Sequence, residues 1–315
     1  MILPKDKLSF VIPCYKSEST IEKIIERIKK TVQDRNPFEI ICVVDGSPDN
    51  VYEVLRNIAL EDDKIKVINL ARNFGQHNAL MAGFNHVGGN VIIALDDDGQ
   101  NPPEECYKLI NALNEDTDLV YADYPVKKES PFRLFGSWFS NKVSKKLCSI
   151  PKGIKTNSYF ACKRFLIEEI IRYDHPYTSL GGLFFRATQN VKNVKVNHHE
   201  RISGKSGYSL HTLISLFLNG FTNFSVKPLR LASICGCICA IIGFVYGIYT
   251  IVHKIVSPYV PVGYSSLMAV ILFIGGMIML MLGMIGEYLG RLYINSNEAP
   301  QFVIKETINI GMENK

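Results

Sequence analysis

The chain has 315 residues, of which 47% are apolar and 21% charged, a balance that excludes a disordered or low-complexity protein and leaves ample material for a large core. Its net charge of +5 is modest and the basic residues gather near the apolar C-terminal region, which excludes a nucleic-acid partner and suits anionic lipid head groups. Eight scattered cysteines give no disulfide framework, and Cys235, Cys237 and Cys239 read as small apolar packers.

The N-terminus, "MILPKDKLSFVIPCYK", lacks the layout and cleavage site of a signal peptide, so the N-terminal part is expected to remain in the cytosol. "LSFVIPCY" is a short apolar strand ending at Pro13. "SEST" then starts a helix, with Ser19 and Glu22 spaced as a capping box, and Ile21, Ile24, Ile25, Ile28 and Val32 follow at helical spacing. "FEIICVV" is a second strand that runs into the turn "DGSPDN". A helix over 51–59, the strand "IKVINLA", a turn and helix in "NFGQHNALMAGFNHV", the strand "NVIIAL", a proline-started helix in "PPEECYKLINAL" and the strand "TDLVYADY" continue the alternation. This rhythm predicts a parallel sheet with helices on both faces and a ligand site outside the carboxyl ends of its strands.

Residues 127–147 mix Phe132, Phe135, Phe139 and Val143 with Lys142, Lys145 and Lys146; the segment reads either as an interfacial helix or as a helix packed on the sheet with a solvated basic face. "YSLHTLISLFLNGFTNF" (208–224) reads as an interfacial helix. Two uncharged stretches follow, Leu231–Val252 and Val262–Gly286. The first would span roughly 33 Å as a helix, enough for a hydrocarbon layer of about 30 Å. The short proline-containing connector makes the pair a transmembrane hairpin. Lys227, Arg230 and Arg291 flank its open side against Lys254 in the connector, so positive-inside counting puts both ends in the cytoplasm.

The apolar run of "NVIIAL" stops at Asp96, Asp97 and Asp98. On an extended strand end, residues two apart point the same way, so Asp96 and Asp98 can converge while Asp97 faces elsewhere. Magnesium or manganese takes oxygen ligands and is commonly held by one or two carboxylates together with substrate phosphates, which would neutralise the cluster and bind a nucleotide diphosphate at once. The alternative is a solvated strand end. "HHE" (198–200) lacks a third ligand for zinc, and His77 reads as structural.

The stretch "ARNFGQHNALMAGFNHVGGNVIIALDDDGQNPPE" resembles the core of glycosyltransferase family two, and within it the polyprenyl-phosphate glycosyltransferases of the dolichol-phosphate mannose synthase group and their bacterial relatives. "FVIPCYKSEST" resembles that group's opening strand, "DGSPDN" its second motif and "RISGKSGYSLHTLISLFLNGFTNFSVKPLR" its closing segment. The resemblance covers nearly the whole chain. It implies an α/β GT-A fold with a mostly parallel sheet, a C-terminal two-helix membrane hairpin, and inverting transfer of a sugar from a nucleotide sugar to a lipid phosphate at the cytoplasmic membrane. By motif position, Pro13, Tyr15 and Asp45 would contact base and ribose, and Asp97 and Gln100 would join Asp96 and Asp98 around metal, diphosphate and sugar. Arg201, Lys205 and Ser206 would close over the phosphates. Mg2+ or Mn2+ would be the cofactor. Undecaprenyl phosphate is the expected acceptor and a UDP-hexose the expected donor, in a homo-oligomer with a tetramer as one candidate.

Expected boundaries are a cytosolic catalytic domain over 1–207, an interfacial helix and linker over 208–228, membrane helices over 229–291 (about 230–253 and 262–287), and a cytosolic tail over 292–315. Three positions depart from the family pattern: Val44 stands before "DGS", Gly207 stands where a lysine is usual, and Ser158 stands at or near an Asp that many members carry. An alcohol acceptor needs a general base, whereas a lipid phosphate, with a second pKa of about 6, arrives largely deprotonated. The missing Asp therefore favours a phosphate acceptor. The alternatives are transfer to a hydroxyl of a lipid-linked saccharide, and a non-catalytic nucleotide-binding partner of a glycan assembly complex.

Overall fold

The computed structural model of the chain describes residues 6–124, 151, 153–176, 178–197, 263–296 and 299–311, with isolated positions between 234 and 256. It divides into two compact units, Met1–Phe217 with Ala299–Lys315, and Leu218–Glu298.

In the first unit the elements begin β1 (Leu8–Cys14), α1 (Ile21–Val32), β2 (Phe38–Val44), α2 (Val51–Glu61), β3 (Ile65–Leu70) and α3 (Gln76–Phe84). They continue with β4 (Val91–Ala94), α4 (Cys106–Ile110) and β5 (Leu119–Asp123). Then come β6 (Phe160–Lys163), α5 (Arg164–Ile170), α6 (Leu180–Ala187), β7 (Val191–Lys195) and β8 (Ile304–Ile308). All eight strands form one sheet in the order β7-β5-β6-β4-β1-β2-β3-β8. The pairs β1·β2, β1·β4, β2·β3 and β5·β7 are parallel, and β4·β6, β5·β6 and β3·β8 antiparallel.

Both faces of the central strands are covered, which is why β1 and β2 read as unbroken apolar runs rather than alternating ones. Phe10, Ile12, Ile40 and Cys42 point into a core shared with Ile21, Ile24, Ile25 and Ile28 of α1 and with Leu55 of α2. Ile41 and Val43 point the other way, toward Ala79 and Ala82 of α3. That second contact is close because of Gly83, whose missing Cβ would lie 2.4 Å from Val11 Cγ1. Cys14, Cys42, Cys106 and Cys162 are all buried free thiols.

Several expectations are refined. Thr20, not a Ser19–Glu22 box, occupies the N-cap of the first helix, and its Oγ1 donates to the carbonyls of Ser17 and Asp97 instead of accepting a helix N–H. β1 continues through Pro13, which pairs in register with Val43. Leu95 N bonds Val11 O and Asp45 N bonds Cys14 O, so odd-numbered residues of β1 face β4 and even-numbered ones face β2. Proline's missing donor thus falls on the β4 side, beyond the last β4 pair at Val11↔Ala94. The sheet is mixed, because the antiparallel β6 lies between β4 and β5. Part of the segment read as a tail is β8, zipped onto the edge of β3.

In the second unit α7 runs from Tyr264 to Ser296, about 50 Å of helix at 1.5 Å per residue. Its window Phe273–Gly290 is apolar enough to cross a membrane, with a mean hydropathy of 1.6, and Leu267, Ile271, Phe273, Ile278, Leu282 and Leu289 are exposed on it. The described positions from Ile234 to Val256 are also helical. Gly236 sits against Met281 of α7, whose Cε would lie 2.9 Å from an added Cβ. The segments 127–147 and 208–224, Cys235, Cys237, Cys239 and "HHE" at 198–200 lie outside the described residues.

Candidate active site

The chain order β1, β2, β3 runs one way across the sheet from β1, and β4 is added on the other side. Strand order therefore reverses at β1/β4, the position at which open α/β sheets bind ligands beyond their carboxyl ends. Tyr15 leaves β1 there and the acidic triplet leaves β4. β4 stops at Ala94, and Asp97 and Asp98 occupy a turn completed by Gly99 at φ 77°. The three carboxylates are therefore distributed by a turn rather than by strand alternation.

Each takes different partners. Asp96 Oδ1 accepts from Gln76 Nε2 at 2.7 Å, and its Oδ2 accepts from the Ser158 hydroxyl. Asp97 turns toward β1, where its Oδ2 accepts from Tyr15 N at 2.8 Å. Asp98 Oδ1 accepts from Gln100 N at 3.0 Å, closing the turn on itself. Burial raises the Asp96 carboxyl above the usual range; Ser158, Asn101 and Gln76 oppose that rise and Asp98 adds to it. Burial likewise pushes Asp97 up to about 6, opposed by Tyr15 N and Ser17 and reinforced by Asp96 and Asp98. Among the described residues, these groups acting on the two acids are neutral donors and other carboxylates.

Around the triplet lie polar atoms without a well-formed bond of their own. Ser17 Oγ and Asn101 Nδ2 are buried and have no good hydrogen-bond partner among the described residues, although Ser17 acts on Asp97 and Asn101 on Asp96. Asn101 is 3% exposed, and its Oδ1 accepts from the Tyr124 hydroxyl. A half-buried cluster of hard oxygen atoms, ringed among the described residues by underused polar groups, fits a divalent cation with its diphosphate. Among the described residues no three His, Cys, Asp or Glu side chains group as a ready-made metal cage. Magnesium-type sites seldom need one, since substrate phosphates and water complete the shell.

Asp45 does something the sequence does not reveal. Its two oxygens accept Phe74 N at 2.6 Å and Gly75 N at 2.9 Å, so it ties the β3–α3 loop to the end of β2. Gly46 follows at φ 56°, and a Cβ there would come within 2.3 Å of the Arg72 carbonyl carbon and Asn73 N. The loop fits only because residue 46 has no side chain. Tyr15 is 44% exposed at the crevice. Beside it Lys16 N donates to Ser47 Oγ, which itself donates to Asp49. Asn78 Nδ2 bridges Phe74 O and Pro176 O, fastening the 173–178 segment to the start of α3.

The structure thus brings Pro13, Tyr15, Asp45, Asp96, Asp97, Asp98 and Gln100 to one end of the sheet. Arg201, Lys205 and Ser206 lie outside the described residues. Gln76, Asn101, Ser17 and Thr20 carry no sequence signal for their places, and Ser158 is marked only as a departure from a family pattern.

Residues 9–172 match Glycosyl transferase family 2, and residues 227–292 match the GtrB C-terminal hairpin. An undecaprenyl-phosphate 4-deoxy-4-formamido-L-arabinose transferase of Proteus mirabilis (strain HI4320) is 33% identical over 315 aligned positions, covering 98% of this chain and 96% of that protein. The uncharacterized glycosyltransferase YkcC of Bacillus subtilis (strain 168) is 31% identical over 98% of this chain and 95% of its own length. Among solved structures, glucosyl-3-phosphoglycerate synthase from Mycobacterium tuberculosis, in complex with Mn2+, UDP and phosphoglyceric acid, superposes with a TM-score of 0.51 at 18% identity, covering 68% of this chain and 78% of that one. That likeness concerns the fold, a GT-A-type sheet with its helices. With more than half of its length matched by one family and close to all of it aligned with transferases, the chain belongs to glycosyltransferase family 2.

Proposed function

We propose that this glycosyltransferase moves a sugar, with inversion, from a nucleotide diphosphate sugar to a polyprenyl phosphate at the cytoplasmic face of a membrane. The observation that carries the reading is the acidic turn at the β1/β4 crevice, where Asp96 and Asp97 accept from neutral donors. Asp98 and Asp96 would hold Mg2+ or Mn2+, as the solved relative holds Mn2+ with UDP. The ion supplies charge stabilisation for the departing diphosphate. The remaining tasks fall to the chain. Pro13 and exposed Tyr15 would border the base and ribose, Asp45 would hold the wall beside them, and Asp97 and Gln100 would shape the sugar side. Arg201, Lys205 and Ser206 are proposed for the phosphates, where cationic donors act on developing negative charge.

A phosphate acceptor suits what occupies the place of the family's Asp. The Ser158 hydroxyl donates a hydrogen bond to Asp96, and a serine hydroxyl is no base at neutral pH. A lipid phosphate needs none, being largely ionised already. The relatives named for undecaprenyl-phosphate transfer support the lipid, and the hairpin supports membrane delivery of it. UDP-hexoses remain the first donors to try, beside the 4-deoxy-4-formamido-L-arabinose donor suggested by the relatives. A homo-oligomer is part of the proposal.

Purified full-length protein in detergent, incubated with Mn2+, undecaprenyl phosphate and a panel of radiolabelled nucleotide sugars, tests the reading. Label is expected to pass into butanol with one donor and to require the lipid phosphate. Label that stays in water with every donor overturns it.

A further inference from the structure

Asp96 joins three parts of the fold that are far apart in sequence. Gln76 is the first residue of α3, Ser158 lies two residues ahead of β6, and Asp96 follows β4. The two partners take one carboxylate oxygen each, Gln76 on Oδ1 and Ser158 on Oδ2. Asn101 Nδ2, buried nearby, acts on the same carboxylate.

Asp97 and Asp98 are its chain neighbours, and like charges at this spacing push a half-buried carboxylate out toward water. Two hydrogen bonds to a charged acceptor, each contributing about 1.5–3 kcal/mol, offset that push. The identity of the donors matters as much as their positions. A lysine or arginine in either place would fix Asp96 equally well, but it would also cancel the negative potential that draws a cation. An amide and a hydroxyl orient the carboxylate and leave its charge intact. With Gln76, Ser158 and Asn101 engaged, the carboxylate keeps lone-pair capacity for a ligand.

We infer that Gln76 and Ser158 are positioning residues for the divalent-cation site, holding Asp96 in a ligating orientation without neutralising it. The inference rests on the acidic turn being the metal–diphosphate site proposed above. It gives Ser158 a role of its own: its hydroxyl orients a ligand, where a carboxylate at the same place would add a fourth negative charge to the crevice.

Mn2+ binding to the full-length protein in detergent, followed by the EPR signal of the free ion at saturating UDP, provides the test. Ser158→Ala and Gln76→Ala are each expected to weaken Mn2+ binding about 10-fold, the usual effect of losing a group that orients a metal ligand. UDP binding without metal and the ligand-free thermal midpoint should stay at wild-type values. Ser158→Thr, which keeps the hydroxyl, should restore the affinity. Gln76 is exposed at a helix start, so its variant carries the test should Ser158→Ala fold poorly. Asp98→Asn separates the two possible failures. If the wild type takes up no Mn2+, the metal reading itself falls. If the wild type binds, Asp98→Asn does not, and both alanine variants match wild type, the positioning role alone is overturned.

Discussion

Asp45 and Asp97 have the same side chain, stand at the ends of neighbouring parts of one sheet, and do comparable work: each accepts backbone N–H from a loop at the crevice. Asp45 uses both oxygens, for Phe74 N and Gly75 N. An amide at this position has one acceptor oxygen and presents an NH2 to the other N–H. Asp45→Asn is therefore expected to leave one buried donor unpaired, at about 1–3 kcal/mol. The thermal midpoint of the detergent-solubilised protein should fall by several degrees, and donor KM should rise more than kcat falls, because the loop also carries Gln76. An unchanged midpoint and KM would remove the anchoring role. Much of this site is legible in sequence at the level of where charges stop an apolar run. The acidic triplet and the "DGS" turn announce themselves that way. Their partners do not, since Gln76 and Ser158 reach Asp96 from 20 and 62 residues away and only strand order decides that they meet. The expected convergence of Asp96 and Asp98 by strand parity is replaced by a turn, because β4 ends at Ala94, short of both.

Elements with a strong period are the ones the sequence reveals. α1 buries the five apolar positions expected of it, and β1 and β2 are buried end to end. β6, β7 and β8 are short, and "VKNVK" and "IKETI" are half solvated, so their pairing depends on neighbours rather than on local pattern. β2 hides a different surprise in Glu39, which is 1% exposed although it sits in an apolar strand. Burial alone would raise its pKa, but bonds from Lys7, Ser9, Gly88 N and Lys66 outweigh burial and hold it at about 2. A carboxylate depressed from 4.5 contributes stability that is complete above pH 4.5 and is lost as pH falls through about 2. Thermal midpoints measured down that range should drop for the wild type and drop less for Glu39→Gln, which starts lower at neutral pH because Lys7 and Lys66 lose their partner. Parallel acid limbs for the two proteins would refute this. β8 is fastened at both ends. Gln301 Nε2 converges on Tyr173 O, His175 O and Thr178 Oγ1, and Asn309 Nδ2 donates to Ala59 O and Ile65 O. Gln301→Leu keeps the bulk and removes the donor. It is expected to cost about 1–3 kcal/mol, read as a lower midpoint and faster amide exchange across β8 and the 173–178 segment; wild-type exchange there would show that the strand is held by its ladder alone.

At the scale of the whole molecule, the decisive fact is that the chain leaves the sheet-bearing unit after Phe217 and comes back to it at Ala299. β8 is an integral strand of that sheet, paired with β3 from Val67 to Leu70. A segment that departs from and returns to one folded unit can cross a bilayer only an even number of times. α7 is long enough for one crossing of about 30 Å; a crossing there would require a second one in the helical stretch before it, where the GtrB hairpin match lies. In the proposed topology, lysine and arginine on the open side of the hairpin would place the sheet in the cytoplasm. The charge count, the helix length and the strand pairing are independent of one another and together predict a definite topology. A GFP fusion after Lys315 should fluoresce in a bacterial host, and alkaline phosphatase inserted in the connector after Pro258 should be active. Reporters that place the connector and the C-terminus on the same side of the membrane would mean that the hairpin does not span it, and a lipid-borne phosphate would then have to reach the acidic turn by some route other than the two helices.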